Sequence, residues 1–179
     1  GFGHLKITSN NIKAGRKNFL VHFRQQFSDH GLFIAVADAP KDHYGKPGMK
    51  ADHFRVSQDH ADDLAAVIQL LRQKTDKPIW LIGTSRGAIS AVNAAARLSG
   101  EDAPVGLVLT SSVVHSPNED QTDVYQADLS KITVPTLITH HVDDACKSSP
   151  FDKAEELKSA LTASPKVTFI SYEGGKQGK

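Results

Sequence analysis

The sequence predicts an α/β fold: a mainly parallel sheet with helices on both faces, in three layers. Two observations predict it. Short apolar runs without polar alternation recur along the chain, as strands buried on both faces require. Between them lie segments whose apolar residues fall three and four apart, the spacing of one helix face. Alternating strands and helices call for crossover connections, and crossovers make neighbouring strands parallel.

The elements follow in order. Phe19, Phe23 and Phe27 recur every four residues, so they stack along one face of a first helix and read as core. Leu32–Ala37 is an unbroken apolar run and reads as the first strand, ended by Asp38-Ala39-Pro40. Asp38 reads as a structural carboxylate. Lys41–Val56 is a polar connection over the site's rim. His43, His53 and His60 lie near Asp42, Asp52 and Asp59, but their spacing matches no metal-ligand motif. Ala61, Leu64, Ile68 and Leu71 stripe a second helix, with Asp59, Asp62 and Asp63 near its N-terminal end, where the dipole favours anions. Ile79–Ile82 is a strand. Residues 86–98, rich in alanine, form a helix with a surface small enough to lie close on a sheet. Gly106–Thr110, Thr136–Thr139 and Val167–Tyr172 are further strands. Ser149 reads as the N-cap and Pro150 as the first position of a helix running to Leu161.

Composition narrows the function. The chain has 179 residues, 39% of them hydrophobic and 23% charged, which suits one globular domain and excludes wholesale disorder. Twenty-one basic residues against twenty acidic ones leave a net charge of +1, too little to grip a phosphate backbone, so no nucleic-acid partner is expected. The apolar runs are too short to span a bilayer, and no membrane partner is expected. Cys146 is the one cysteine, which excludes an internal disulfide and a multi-cysteine zinc site.

The chemistry concentrates in Gly83-Thr84-Ser85-Arg86-Gly87, which follows the strand ending at Ile82 and runs directly into the alanine-rich helix. Gly-x-Ser-x-Gly between strand and helix makes a sharp, strained turn that projects the serine hydroxyl clear of the sheet. Gly83 and Gly87 are read as removing side chains that would collide as the turn closes. The helix N-terminus lends positive potential, and the Arg86 amide is placed to donate to an oxyanion. The Arg86 side chain either attracts an anionic substrate or turns away to a carboxylate.

This motif in this context resembles the α/β-hydrolase superfamily, in a branch of dienelactone hydrolase-like serine hydrolases and esterases. The resemblance implies that residues 1–179 are a single α/β-hydrolase domain, running from the loop after the family's third strand to its eighth, with both ends of the larger domain outside this sequence. It implies Ser85 as nucleophile and an acid on the loop after Thr136–Thr139. That loop reads His140-His141-Val142-Asp143-Asp144; a His-Gly-x-x-Asp pattern laid on His140 selects Asp144, with Asp143 as its competitor. A second oxyanion amide is implied from the Gly1–His4 loop, from Phe2 or Gly3. The base should be a histidine after Val167–Tyr172, and the residues to Lys179 contain none, so it is expected beyond Lys179. His140 and His141 flank the acid without replacing the base. The family's third strand is likewise expected before Gly1, unless His4–Thr8 takes its place.

The reading is a serine hydrolase that cleaves an ester-type bond, carboxylester or thioester, through an acyl-enzyme, on a small-molecule substrate. No metal or organic cofactor is implied. The rival is a non-catalytic ligand-binding module on the same fold, favoured if no histidine completes the triad. A flavodoxin-like phosphate binder is disfavoured because no glycine-rich loop follows the first strand.

Overall fold

The computed structural model describes residues 3–8, 11–12, 18–116 and 122–175, those at 50–52 by backbone only. They fall into two compact units, Gly1–Asp52 and His53–Lys179.

In the first unit, β1 (Ile7–Thr8) pairs antiparallel with β2 (Asn11–Ile12). The helix expected through Phe19, Phe23 and Phe27 is broken in two, α1 (Phe19–His22) and α2 (Arg24–Asp29). Asn18 caps α1, accepting the Val21 amide at 3.3 Å. The break sits at Phe23, with φ −92° and ψ 8°. Its cause is local: Arg24 Nη1 donates to the Val21 carbonyl at 2.6 Å, and that carbonyl is the one a continuous helix would offer to Gln25. Phe19 and Phe23 are 40% and 39% exposed, so the expected core stripe does not form.

Leu32–Ala37 is also not a strand; it has no ladder partner among the described residues, and Leu32 and Phe33 are exposed. An apolar run becomes a strand only where a neighbouring backbone takes its amides and carbonyls. Asp38 is structural, as expected, accepting amides from Leu5 (2.5 Å), Ile7 (3.0 Å) and Ala39 (2.9 Å). Partial burial pushes its pKa up, but these amide bonds, with His4 nearby, outweigh that and hold it below the ordinary aspartate value.

The second unit carries α3 (Gln58–Arg72), β3 (Trp80–Thr84), α4 (Arg86–Arg97), β4 (Gly106–Thr110), β5 (Thr136–His141), α5 (Phe151–Ala160) and β6 (Val167–Tyr172). The four strands form one parallel sheet in the order β3-β4-β5-β6. Ser57 caps α3 through a 3.1 Å bond from the His60 amide, and Asp59 lies in the first turn. Helix α5 begins one residue later than expected: Pro150 holds the cap position, and Ser149 is buried with its backbone used elsewhere.

Leu107, Leu109 and Ile138 share one sheet face and pack with Ile89 and Val92 of α4 and Leu157 of α5 in one core cluster. The central strand β4 is buried on both faces, as its apolar run predicts. The edge strand β3 is not: Trp80 and Ile82 are 46% and 39% exposed. Trp80 lies over Gly106, its register partner on β4; a Cβ at Gly106 would stand 2.5 Å from the indole. No helix among the described residues is long and apolar enough to cross a membrane.

The β3–α4 turn is closed by Gly83. A Cβ there would lie 2.5 Å from the Gly87 carbonyl oxygen and 2.6 Å from the Ala88 backbone, atoms that cannot move without moving the helix. Gly87 has nothing within 4 Å of an added Cβ, so the collision expected there is absent.

Three substitutions check this account by urea unfolding. Ile138→Ala empties a site that is 1% exposed, and should cost about 2–5 kcal/mol. Gly83→Ala should destabilise by about 1–3 kcal/mol or more. Gly87→Ala, inside a helix and in open space, should instead stabilise by about 0.5–1 kcal/mol. Equal effects of the two glycine substitutions would contradict the geometry.

Candidate functional site

The site is built where β3 gives way to α4. Ser85 follows the last strand residue, caps α4 and has φ 52° and ψ −122°, a strained conformation for a residue with a side chain. Its amide donates to the Thr110 carbonyl at 3.0 Å, so the end of β4 holds the turn, and its carbonyl accepts the Ala88 amide at 3.1 Å. The Ser85 side chain is exposed at the head of α4, whose dipole places positive potential there. Arg86 opens the helix, where backbone amides have no carbonyl one turn earlier in the helix to bond.

The sheet register extends this geometry across the carboxyl edge. The last pairs are Thr84 with Thr110 and Thr110 with Thr139. One residue further on lie Ser85 and Ser111, just past the last pairs of β3 and β4, and His140, still within β5. The Ser111 amide donates to the Thr139 carbonyl at 3.0 Å. Ser111 also has a positive φ, 40°, so the serine after β4 is strained like the one after β3. Sequence reading missed Ser111. The available signal was the same as for Ser85, a serine just past an apolar strand, without the flanking glycines.

The loop after β5 brings Asp144 back to this edge. The Cys146 amide donates to Asp144 Oδ1 at 2.9 Å, and Oδ2 lies 3.7 Å from His140 Nε2. That separation is too long for a hydrogen bond. His140 is 2% exposed and its Nε2 donates to the Ser149 carbonyl at 2.8 Å; its ring packs beside Phe151. His141 accepts the Asp143 amide on Nδ1 at 3.0 Å, so Nε2 carries the proton and donates to the Gly174 carbonyl at 2.7 Å. Both rings are thus occupied in holding loops. Asp143 is exposed, while Asp144 is partly buried. Cys146 is a free, exposed thiol.

The other residues singled out from the sequence fall elsewhere. Phe2 lies outside the described residues. Gly3 belongs to the first unit and has φ 85°, a left-handed conformation that glycine adopts without strain. Among the described residues no group of three or more His, Cys, Asp or Glu side chains is placed to hold a metal ion. His43 instead contacts its neighbour Asp42 at 3.3 Å. Arg55, not singled out from the sequence, is 7% exposed and donates through Nη1 to Ser90 Oγ of α4 at 2.6 Å.

No protein-family model matches this sequence, and comparison with curated proteins gives no match. Solved structures do match. An α/β serine hydrolase homologue from Coxiella burnetii is 20% identical with a TM-score of 0.52, over 76% of this chain and 57% of that one. An acylaminoacyl peptidase from Pyrococcus horikoshii is 15% identical with a TM-score of 0.49, over 66% and 23% of the two chains. Esterase 2 of Thermogutta terrifontis, phosphonylated by sarin, is 15% identical with a TM-score of 0.44, over 65% and 54%. The chain thus spans little more than half the length of the Coxiella protein. With four parallel strands flanked by helices, and in its likeness to that structure, this chain has an α/β-hydrolase fold.

Proposed function

We propose that this chain carries the nucleophile and acid of a serine hydrolase acting on small-molecule carboxylic esters or thioesters. The observation that carries the reading is the strained Ser85 backbone, with φ 52°, at an exposed strand-to-helix turn. A tight turn needed only for packing has no reason to hold a non-glycine residue in that conformation with its hydroxyl in solvent.

In this reading Ser85 Oγ attacks the acyl carbon as its proton passes to a histidine. The Arg86 amide stabilises the oxyanion. The alcohol or thiol leaves with that proton, and water then releases the acid and restores Ser85. Asp144 orients the imidazole. Asp144 is favoured over Asp143 by its partial burial and its turn towards the sheet edge. The histidine is neither His140 nor His141, because the Nε2 of each is committed to a carbonyl.

Turnover of 4-nitrophenyl acetate tests the assignment. Ser85→Ala should reduce it to the uncatalysed background. Asp144→Asn should lower kcat by roughly 10²–10⁴-fold, while Asp143→Asn should stay within about threefold of the parent. The reverse order would move the acid to Asp143. Activity indifferent to Ser85→Ala would remove the hydrolase reading and leave a non-catalytic ligand-binding module on the same fold.

A further inference from the structure

A buried cation beside the nucleophile turn is not explained by the fold. Arg55 is 7% exposed, yet its hydrogen bond among the described residues is the one from Nη1 to the neutral hydroxyl of Ser90. Its Nε is buried and has no partner among the described residues. Nε and Nη2 form the side-on edge of a guanidinium, two parallel N–H donors that match the two oxygens of a carboxylate. With Nη1 turned to Ser90, that edge is the part of Arg55 left to bind.

The location ties this edge to the site. Ser90 lies five residues past Ser85 on α4, about 7–8 Å of helix rise, and four past Arg86, so Arg86 and Ser90 share a helix face. Burial, with a smaller contribution from the positive charge of Arg86, pulls the Arg55 pKa down to about 10. A buried cation set near a second cation, with one neutral hydroxyl as its hydrogen-bond partner among the described residues, is an unfavourable arrangement that an anion would relieve.

We propose that the Nε–Nη2 edge of Arg55 is a subsite for a carboxylate group, so that the preferred substrate is an ester bearing a free carboxylate, such as a half-ester of a dicarboxylic acid. This specificity rests on the hydrolase reading of Ser85; the carboxylate-binding site itself does not. Ser90 acts as a positioning residue, fixing the guanidinium so that its unpartnered edge stays available to an anion.

Two measurements on the native protein separate the claims. The first compares kcat/KM for 4-nitrophenyl hydrogen glutarate and for its neutral methyl ester, in the parent, Arg55→Lys and Ser90→Ala. The parent should favour the anionic ester by at least tenfold. Arg55→Lys, which keeps the charge and loses the fork, should cut that ratio at least tenfold, chiefly through KM. Ser90→Ala should cut it about three- to tenfold, which keeps the test open if Arg55→Lys fails to fold. The second is calorimetric titration of glutarate into Ser85→Ala chain, with and without Arg55→Lys; affinity should fall at least tenfold with the lysine. No preference for the anionic ester in the parent, or a preference unmoved in folded variants, overturns the proposal while leaving Ser85 hydrolysis intact. Arg55-dependent glutarate binding without turnover of either ester supports the subsite and counts against the hydrolase.

Discussion

The geometry at the carboxyl edge depends on one backbone constraint, the closure of the β3–α4 turn. Gly83 lies so close to the start of α4 that no side chain fits between them. Ser85 is then held in a strained conformation by two hydrogen bonds, its amide to Thr110 and its carbonyl from Ala88. One of these bonds comes from the neighbouring strand and the other from the helix, so the turn is clamped from both sides. Such strain persists only where the surroundings over-determine it. Here the surroundings are a buried central strand, β4, and a helix buried along residues from Ala88 to Ala95.

The same ladder that holds Ser85 also orders what stands beside it. Because the sheet is parallel and in continuous register, Thr84, Thr110 and Thr139 stand level with one another across β3, β4 and β5. The residues next along the chain, Ser85, Ser111 and His140, are thereby brought to the same edge of the sheet. The three are not uniform in role. His140 points into the core side, where Ser149 and Phe151 hold it, and so ties the acid-bearing loop to the start of α5. His141, on the alternate face, ties the same loop to the segment after β6 through Gly174. Two adjacent histidines thus brace the bend that carries Asp144 from opposite sides of the strand.

Much of this was legible in the sequence, for reasons that differ element by element. The runs at Gly106–Thr110 and Thr136–Thr139 became central strands because an unbroken apolar run needs burial on both faces, and the middle of a sheet supplies it. The Gly-x-Ser-x-Gly turn was legible because its steric demand is local. The failures are non-local. Leu32–Ala37 has the composition of a strand, but a strand also needs a partner, and composition does not contain one. The Phe19–Phe27 stripe has helical spacing, but the Arg24 guanidinium competes for a helix carbonyl, which spacing does not report. The collision assigned to Gly87 was wrong because only Gly83 faces the helix backbone. Arg55 was invisible because nothing in a lone arginine says that it will be buried against Ser90, 35 residues away.

The central claim is that the strained serine at the β3–α4 turn is a nucleophile rather than a packing device. Reaction with an alkyl fluorophosphonate, followed by peptide mass spectrometry of the labelled chain, tests this most directly. The account expects a single adduct on the peptide carrying Ser85, lost when the chain is unfolded in urea before exposure. A folded chain that takes no adduct, or takes it at Ser111 or Ser149 instead of Ser85, would contradict it.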